Sequence, residues 1–130
     1  MIFFLHILLM AISTLGIITG VGAAIFFRKK SNWLKIHKSL NFFSLLGIAA
    51  GIIMAVIYVS ETSGKHIDGL HQLIGLTAFT FAAVTLLLGF YQFKAKNKLA
   101  VRTTHRLLGR FSLVLFLTAI MLGLKLINIL

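Results

Sequence analysis

Histidine is the residue in this chain best suited to chemistry, because imidazole both transfers protons and binds transition metals near neutral pH. The sequence of 130 residues contains five histidines. Four of them, His6, His37, His71 and His105, stand near the start of four long apolar segments, at spacings of 31, 34 and 34 residues. The fifth, His66, lies in a polar segment and is interpreted as a solvated loop residue. Cysteine is absent, so thiolate metal sites are excluded.

Each apolar segment is long enough to span a membrane as a helix, since a bilayer core of about 30 Å needs roughly 20 helical residues. Hydrophobic residues make up 59% of the chain and charged residues only 12%, too few to cover a soluble domain. We therefore predict an all-α membrane protein, an antiparallel up-down bundle of four transmembrane helices, with residues 1–130 as a single domain. The helices are predicted at about 2–27, 33–59, 69–93 and 102–127.

Residues with capping and turn preferences separate these helices. Ser31 or Asn32 is expected to cap the second helix and Asp68 the third. Gly64 is the expected turn residue between them. The fourth helix is expected to begin near Thr103 or Thr104.

The net charge of +11 does not indicate nucleic acid binding, because the basic residues are confined to short connections. Eleven of the 13 basic residues lie around the first and third connections, and only Lys65 and Lys125 lie elsewhere. The positive-inside rule makes the first and third connections cytoplasmic and places both termini outside. The expected location is a prokaryotic plasma membrane, with lipid as the surrounding partner.

Because successive helices reverse direction, the histidines fall at two depths. His6 and His71 lie near the outer face, and His37 and His105 lie near the inner face. Eighteen positions after each histidine, five turns further along the same helix face, stands a small residue. These small residues are Ala24, Ala55, Gly89 and Gly123.

Each helix thus offers a ligand at one depth and a clear surface at the other, which suits a flat macrocycle held between helices. The pattern predicts two haems b, each with two axial imidazoles: His6 and His71 on the outer iron, His37 and His105 on the inner iron. Zinc is disfavoured, because these are two-ligand sites with no acidic residue beside them.

Further glycines and cations are assigned to the same sites. The glycines expected near the rings are Gly20, Gly51, Gly75, Gly89, Gly109 and Gly123, although the pairs Gly16/Gly20 and Gly47/Gly51 have a spacing that also serves helix packing. The residues expected to hold haem propionates are Lys35, Lys38, Arg106 and Arg110 inside and Lys65, His66 or Lys125 outside, with Lys125 favoured. The side chain of Arg110 could instead extend so that its guanidinium group reaches the membrane–water interface. Asn41, one turn after His37, is expected either to support that ligand or to bond a neighbouring helix.

The chain resembles the cytochrome b561 family over nearly its whole length. The resemblance lies in the stretches His6–Met10, Ala24–Arg28, Trp33–His37, Leu70–Gly75 and His105–Gly109, in that order and at those spacings. It implies a four-helix core with two haems b, ligated from helices one and three and from helices two and four. Members of the family include reductases that oxidise cytosolic ascorbate and reduce an outer ferric chelate or semidehydroascorbate.

The resemblance implies transmembrane electron transfer, from an ascorbate-like reductant or a quinol inside to an acceptor outside. The first inner connection is shorter than in ascorbate-dependent members, and this leaves two further interpretations open: electron exchange with a quinone, and a haem-binding anchor subunit of a larger redox complex. A homodimer is also compatible with the sequence. Two other classes remain open: a proton or metal transporter that uses the four histidines as relay sites, and a cofactor-free membrane anchor that holds a partner.

Overall fold

The computed structural model describes residues 1–129, and these residues form four α-helices. The helices are α1 (Ile2–Phe26), α2 (Trp33–Thr62), α3 (Leu70–Tyr91) and α4 (Lys98–Leu126). Each helix is long and apolar enough to cross a membrane. The predicted fold class, an all-α membrane protein of antiparallel helices, is confirmed.

The chain divides into two compact units, one of residues Met1–His66 and one from Ile67 onward. In the first unit α1 packs against α2, and in the second α3 packs against α4, so each unit is a hairpin of two antiparallel helices. The single domain over residues 1–130 stays a prediction, and its last residue lies outside the described part of the chain.

Small residues bring α1 and α2 together. Ser13 of α1 faces Gly47 of α2, and Ser44 of α2 faces Gly16 of α1, so closely that a β-carbon on either glycine would overlap the serine hydroxyl. Both serines are buried. Close approach of backbones at small residues is the usual way in which helices associate in membranes, where lipid removes the hydrophobic driving force.

The second hairpin has a larger residue in its interface. Phe116 of α4 is 1% exposed, and Ala78 of α3 is completely buried. The rings of Phe81 and Phe111 meet edge to face with centroids 5.1 Å apart, an arrangement that the aromatic quadrupole favours. Large apolar side chains such as Leu87 are exposed, as a lipid environment requires.

The starts of α3 and α4 differ from the prediction. Asp68 does not cap α3, because Gly69 occupies the N-cap position and makes no side-chain bond there. Helix α4 begins at Lys98 and not near Arg102, because the side chain of Asn97 accepts a hydrogen bond from the backbone N–H of Ala100.

In the connection after α2 the predicted turn residue is confirmed. Gly64 has a φ of 68°, the left-handed conformation that glycine adopts without steric cost. Asn32 is the N-cap residue of α2, although its side chain makes no capping bond. Helix α2 continues past its predicted end to Thr62, and the hydroxyls of Ser60 and Thr62 donate to carbonyls four residues earlier.

Candidate functional site

In the first hairpin the two histidines are held by reciprocal contacts between α1 and α2. Nδ1 of His6 lies 2.8 Å from the carbonyl oxygen of Gly51, and Nδ1 of His37 lies 2.8 Å from the carbonyl oxygen of Gly20. A carbonyl oxygen only accepts hydrogen bonds, so in each pair the imidazole Nδ1–H is the donor. Both glycines are buried, which keeps water from competing for their carbonyls.

The second hairpin repeats this arrangement. Nδ1 of His71 donates to the carbonyl oxygen of Ala119 at 2.8 Å, and Nδ1 of His105 donates to that of Thr85 at 2.8 Å. Thr85 and Ala119 are also buried. Each histidine on one helix is therefore oriented by the backbone of the other helix in its hairpin.

The acceptor stands at the same distance along the chain in every helix. Gly20, Gly51, Thr85 and Ala119 each lie fourteen residues after the histidine of their own helix. At 1.5 Å per residue, fourteen residues span about 21 Å. The two histidines of one hairpin therefore lie about 21 Å apart along the helices, too far for both to bind one metal ion.

These hydrogen bonds fix which ring nitrogen can act as a ligand. With the proton on Nδ1, the lone pair of the neutral ring is on Nε2. Donation of the second ring N–H to a backbone carbonyl is the usual support of a metal-bound histidine, because it fixes the tautomer and the ring orientation and raises ligand basicity. Four imidazoles supported in this way fit the donor sets of two haems, each held by two histidines.

Glycines in the second hairpin lie directly against the histidine rings. A β-carbon on Gly89 would lie 3.0 Å from Cε1 of His105, and one on Gly123 would lie 3.0 Å from Cε1 of His71. Each of these glycines is one turn beyond the carbonyl that accepts from the same ring. The glycine leaves room for the imidazole beside the helix, and the carbonyl then orients it.

In the first hairpin the acceptor residue is itself the glycine. A β-carbon on Gly20 would lie 2.5 Å from Nδ2 of Asn41 and 3.2 Å from Cβ of Leu40. A β-carbon on Gly51 would lie 3.0 Å from Sδ of Met10. Gly20 and Gly51 thus leave space for the residues one turn after the two histidines.

The remaining predicted glycines have weaker links to the histidines. A β-carbon on Gly109 would lie 3.3 Å from Cγ2 of Thr85, the residue that accepts from His105. A β-carbon on Gly75 would meet no heavy atom of the described residues within 4 Å. The placement of Gly75 near a haem ring therefore stays a prediction.

The predicted propionate partners lie at the expected ends of their helices. Lys38 is half-buried and lines an open groove at the start of α2 together with Lys35. Arg106 and Arg110 are exposed on the first part of α4. Lys125 is exposed in the last turn of α4, where a cation also interacts favourably with the helix dipole.

Sequence reasoning missed the four carbonyl acceptors, because a backbone carbonyl belongs to every residue type. The constant offset of fourteen residues was the available signal. Of the four acceptors, the sequence singled out only Gly20 and Gly51, and as small residues near a ring. His66, interpreted as a loop residue, is exposed, and its Nε2 lies 3.4 Å from the hydroxyl of Ser60.

A family model described as "Eukaryotic cytochrome b561" matches residues 3–129. No curated protein and no solved structure matches the chain.

Proposed function

This chain belongs to the cytochrome b561 family, a family of haem-based transmembrane electron-transfer proteins, and from that premise we propose that it carries electrons across the bilayer through two b-type haems, each held by two histidines. The observation that supports this proposal most directly is the hydrogen bond that each of the four histidines makes through Nδ1. Each donates to a buried backbone carbonyl at 2.8 Å. Each therefore presents Nε2 as its ligand nitrogen.

The ligand pairs follow from the spacing within each hairpin. His6 and His37 are about 21 Å apart along α1 and α2, and His71 and His105 are separated to the same extent along α3 and α4. We therefore propose that each iron takes its two ligands from histidines at one membrane depth. Because successive membrane helices joined by short connections are expected to alternate in direction, we assign His6 with His71 to one haem and His37 with His105 to the other.

A haem held by two of these histidines would supply a one-electron couple, and the two imidazoles would leave its iron no position for oxygen, so the sites suit electron transfer. The residues of this chain fix the ligand orientation and exclude water from the carbonyls that support them. Lys38, Arg106 and Arg110 would neutralise propionates on the inner side, and Lys125 on the outer side, because a propionate is an anion and is attracted to a nearby cation.

We assign the His37 and His105 site to the cytoplasmic side from the distribution of basic residues. Electrons then pass from a cytoplasmic ascorbate-like reductant or quinol to an outer acceptor, and both termini face outward. The expected membrane is a prokaryotic plasma membrane.

The direct test is the visible spectrum and the pyridine haemochrome content of the purified protein. We expect low-spin bands and two non-covalently bound haems per chain, since covalent attachment would need cysteine and the chain has none. His66→Leu is the matched control, because His66 lies in the loop before α3, and it should keep both haems. A colourless protein, or one haem per fully loaded chain, would contradict the proposal.

A further inference from the structure

The two helices of the first hairpin repeat each other in part, and one of the chemical differences between them lies one turn after the histidines. An offset of 31 residues relates His6 to His37, and it also relates Gly20 to Gly51. The same offset relates Met10 to Asn41, each one turn after its histidine. A thioether therefore occupies in α1 the place that a carboxamide occupies in α2.

The carboxamide of Asn41 is held against His37. Nδ2 donates to the backbone carbonyl of His37 at 2.7 Å, which identifies this atom as the nitrogen of the amide, because a carbonyl only accepts. The same Nδ2 lies 3.2 Å from Nδ1 of His37. Asn41 is half-buried, and Gly20 gives it room, as a β-carbon there would come within 2.5 Å of the amide nitrogen.

This geometry places the positive end of the amide dipole beside the imidazole. Nδ1 of His37 already donates its proton to the carbonyl of Gly20. The N–H group of the Asn41 amide accepts no hydrogen bond from the ring, and it adds positive electrostatic potential at the imidazole. The side chain of Met10 has no N–H group, and its sulfur lies beside Gly51. In the low dielectric of a helix interface such a dipole acts strongly on a neighbouring charge.

We infer that Asn41 is a positioning residue that raises the reduction potential of the iron bound by His37 relative to the iron bound by His6. This inference rests on the proposed function. Oxidation of a bis-imidazole haem adds one positive charge to the iron and its ligands. A fixed positive dipole end beside one ligand opposes that charge and so favours the reduced state. Hydrogen bonding around the ligands is an established means of tuning haem potentials.

The consequence for electron flow follows from the side on which His37 lies. A higher potential at the cytoplasmic site makes it a better acceptor for a cytoplasmic donor. It also reduces the driving force for the next transfer to the outer site. Asn41 would thus favour entry of the electron at the inner face.

The exchange of Asn41 and Met10 tests the inference, with redox titration of the purified holoprotein as the readout. The component lost in His37→Leu identifies the inner haem. Asn41→Met should lower the potential of that component, by roughly a tenfold change in its reduced-to-oxidised ratio, which is about 59 mV for one electron. Met10→Asn should raise the potential of the other component, and neither variant should shift the haem in the other site.

Unshifted potentials in both variants, with both haems retained, would overturn the inference and leave the proposed function standing. Equal shifts of both components in Asn41→Met would overturn it as well. If the Asn41→Met variant loses the inner haem, the Met10→Asn variant provides the test. A reduction potential of the outer haem that does not rise in Met10→Asn would then overturn the inference. A wild-type protein without haem would overturn the inference and the proposed function together.

Discussion

The imidazole of His105 fills the space that a side chain on Gly89 would need, since a β-carbon on Gly89 would lie 3.0 Å from Cε1 of that ring. The same relation joins Gly123 and the ring of His71. A contact this close forces either the ring or the helix to move, because packed interfaces have little free space. These two glycines therefore control whether the histidines of the second hairpin reach their carbonyl acceptors.

Substitution of Gly89 should remove one haem and spare the other. Leucine at this position displaces the His105 ring from the carbonyl of Thr85, so we expect loss of the inner haem and retention of the outer one. Alanine requires only a small shift, and we expect weakened haem affinity, of the order of 10-fold to 100-fold as for other outer-shell changes. Haem content and redox titration would measure both effects.

Gly123 supplies the complementary variant and Gly22 the control. Gly123→Leu should remove the outer haem through His71. Gly22→Ala should leave both haems in place, because a β-carbon there meets no heavy atom of the described residues within 4 Å. Full haem content in both leucine variants would show that the two glycines serve helix packing and not ligand placement.

Gly20 should be as sensitive as Gly89, for a different reason. Gly20→Ala places a β-carbon against Leu40 and the amide of Asn41, which separates α1 from α2 where the Gly20 carbonyl accepts from His37. We expect a loss of affinity for the inner haem, of the order of 10-fold to 100-fold. Haem titration of detergent-solubilised apoprotein would measure it.

The control for Gly20 lies two residues further along the same helix. A β-carbon on Gly22 meets no heavy atom of the described residues within 4 Å, so Gly22→Ala should bind haem as the wild type does. Equal affinities in the Gly20→Ala and Gly22→Ala variants would contradict the role assigned to the Gly20 contact.

The sequence predicted the helices and the candidate ligands well, because long apolar segments and rare histidines are features of residue type. It did not predict the start of α4, where the single bond from Ala100 to Asn97 extends the helix by a turn. It also did not predict that Gly89 touches the His105 ring. Contacts of this kind depend on how close two backbones approach. Residue spacing alone does not determine them, because α1 has Ala24 and not a glycine eighteen residues after its histidine, where α3 has Gly89.

The topology of the chain is a separate prediction that depends only on charge. With eleven basic residues around the first and third connections, both termini should face away from the cytoplasm. A C-terminal alkaline phosphatase fusion should be active, and a C-terminal green fluorescent protein fusion should be dark when exported unfolded. A reporter active only in the cytoplasm would reverse the orientation and exchange the inner and outer sites.

The ligand pairing can be tested by comparing single and double histidine variants. His37→Leu and His105→Leu should each remove the same redox component. The double variant should lose little more haem than either single variant, because two ligands of one site act as a unit. His6→Leu and His71→Leu should each remove the other component.

The decisive combination is His6→Leu with His37→Leu, the two histidines of the first hairpin. Their acceptors, Gly51 and Gly20, place these rings about 21 Å apart along the helices, so they belong to different irons and the double variant should lose both haems. His66→Leu, the loop histidine, should lose neither. If the His6 and His37 single variants lost the same component, one hairpin would supply both ligands of one iron. The carbonyl contacts at 2.8 Å could not then represent the haem-bound state, and an electron path between two depths of the membrane would have no support.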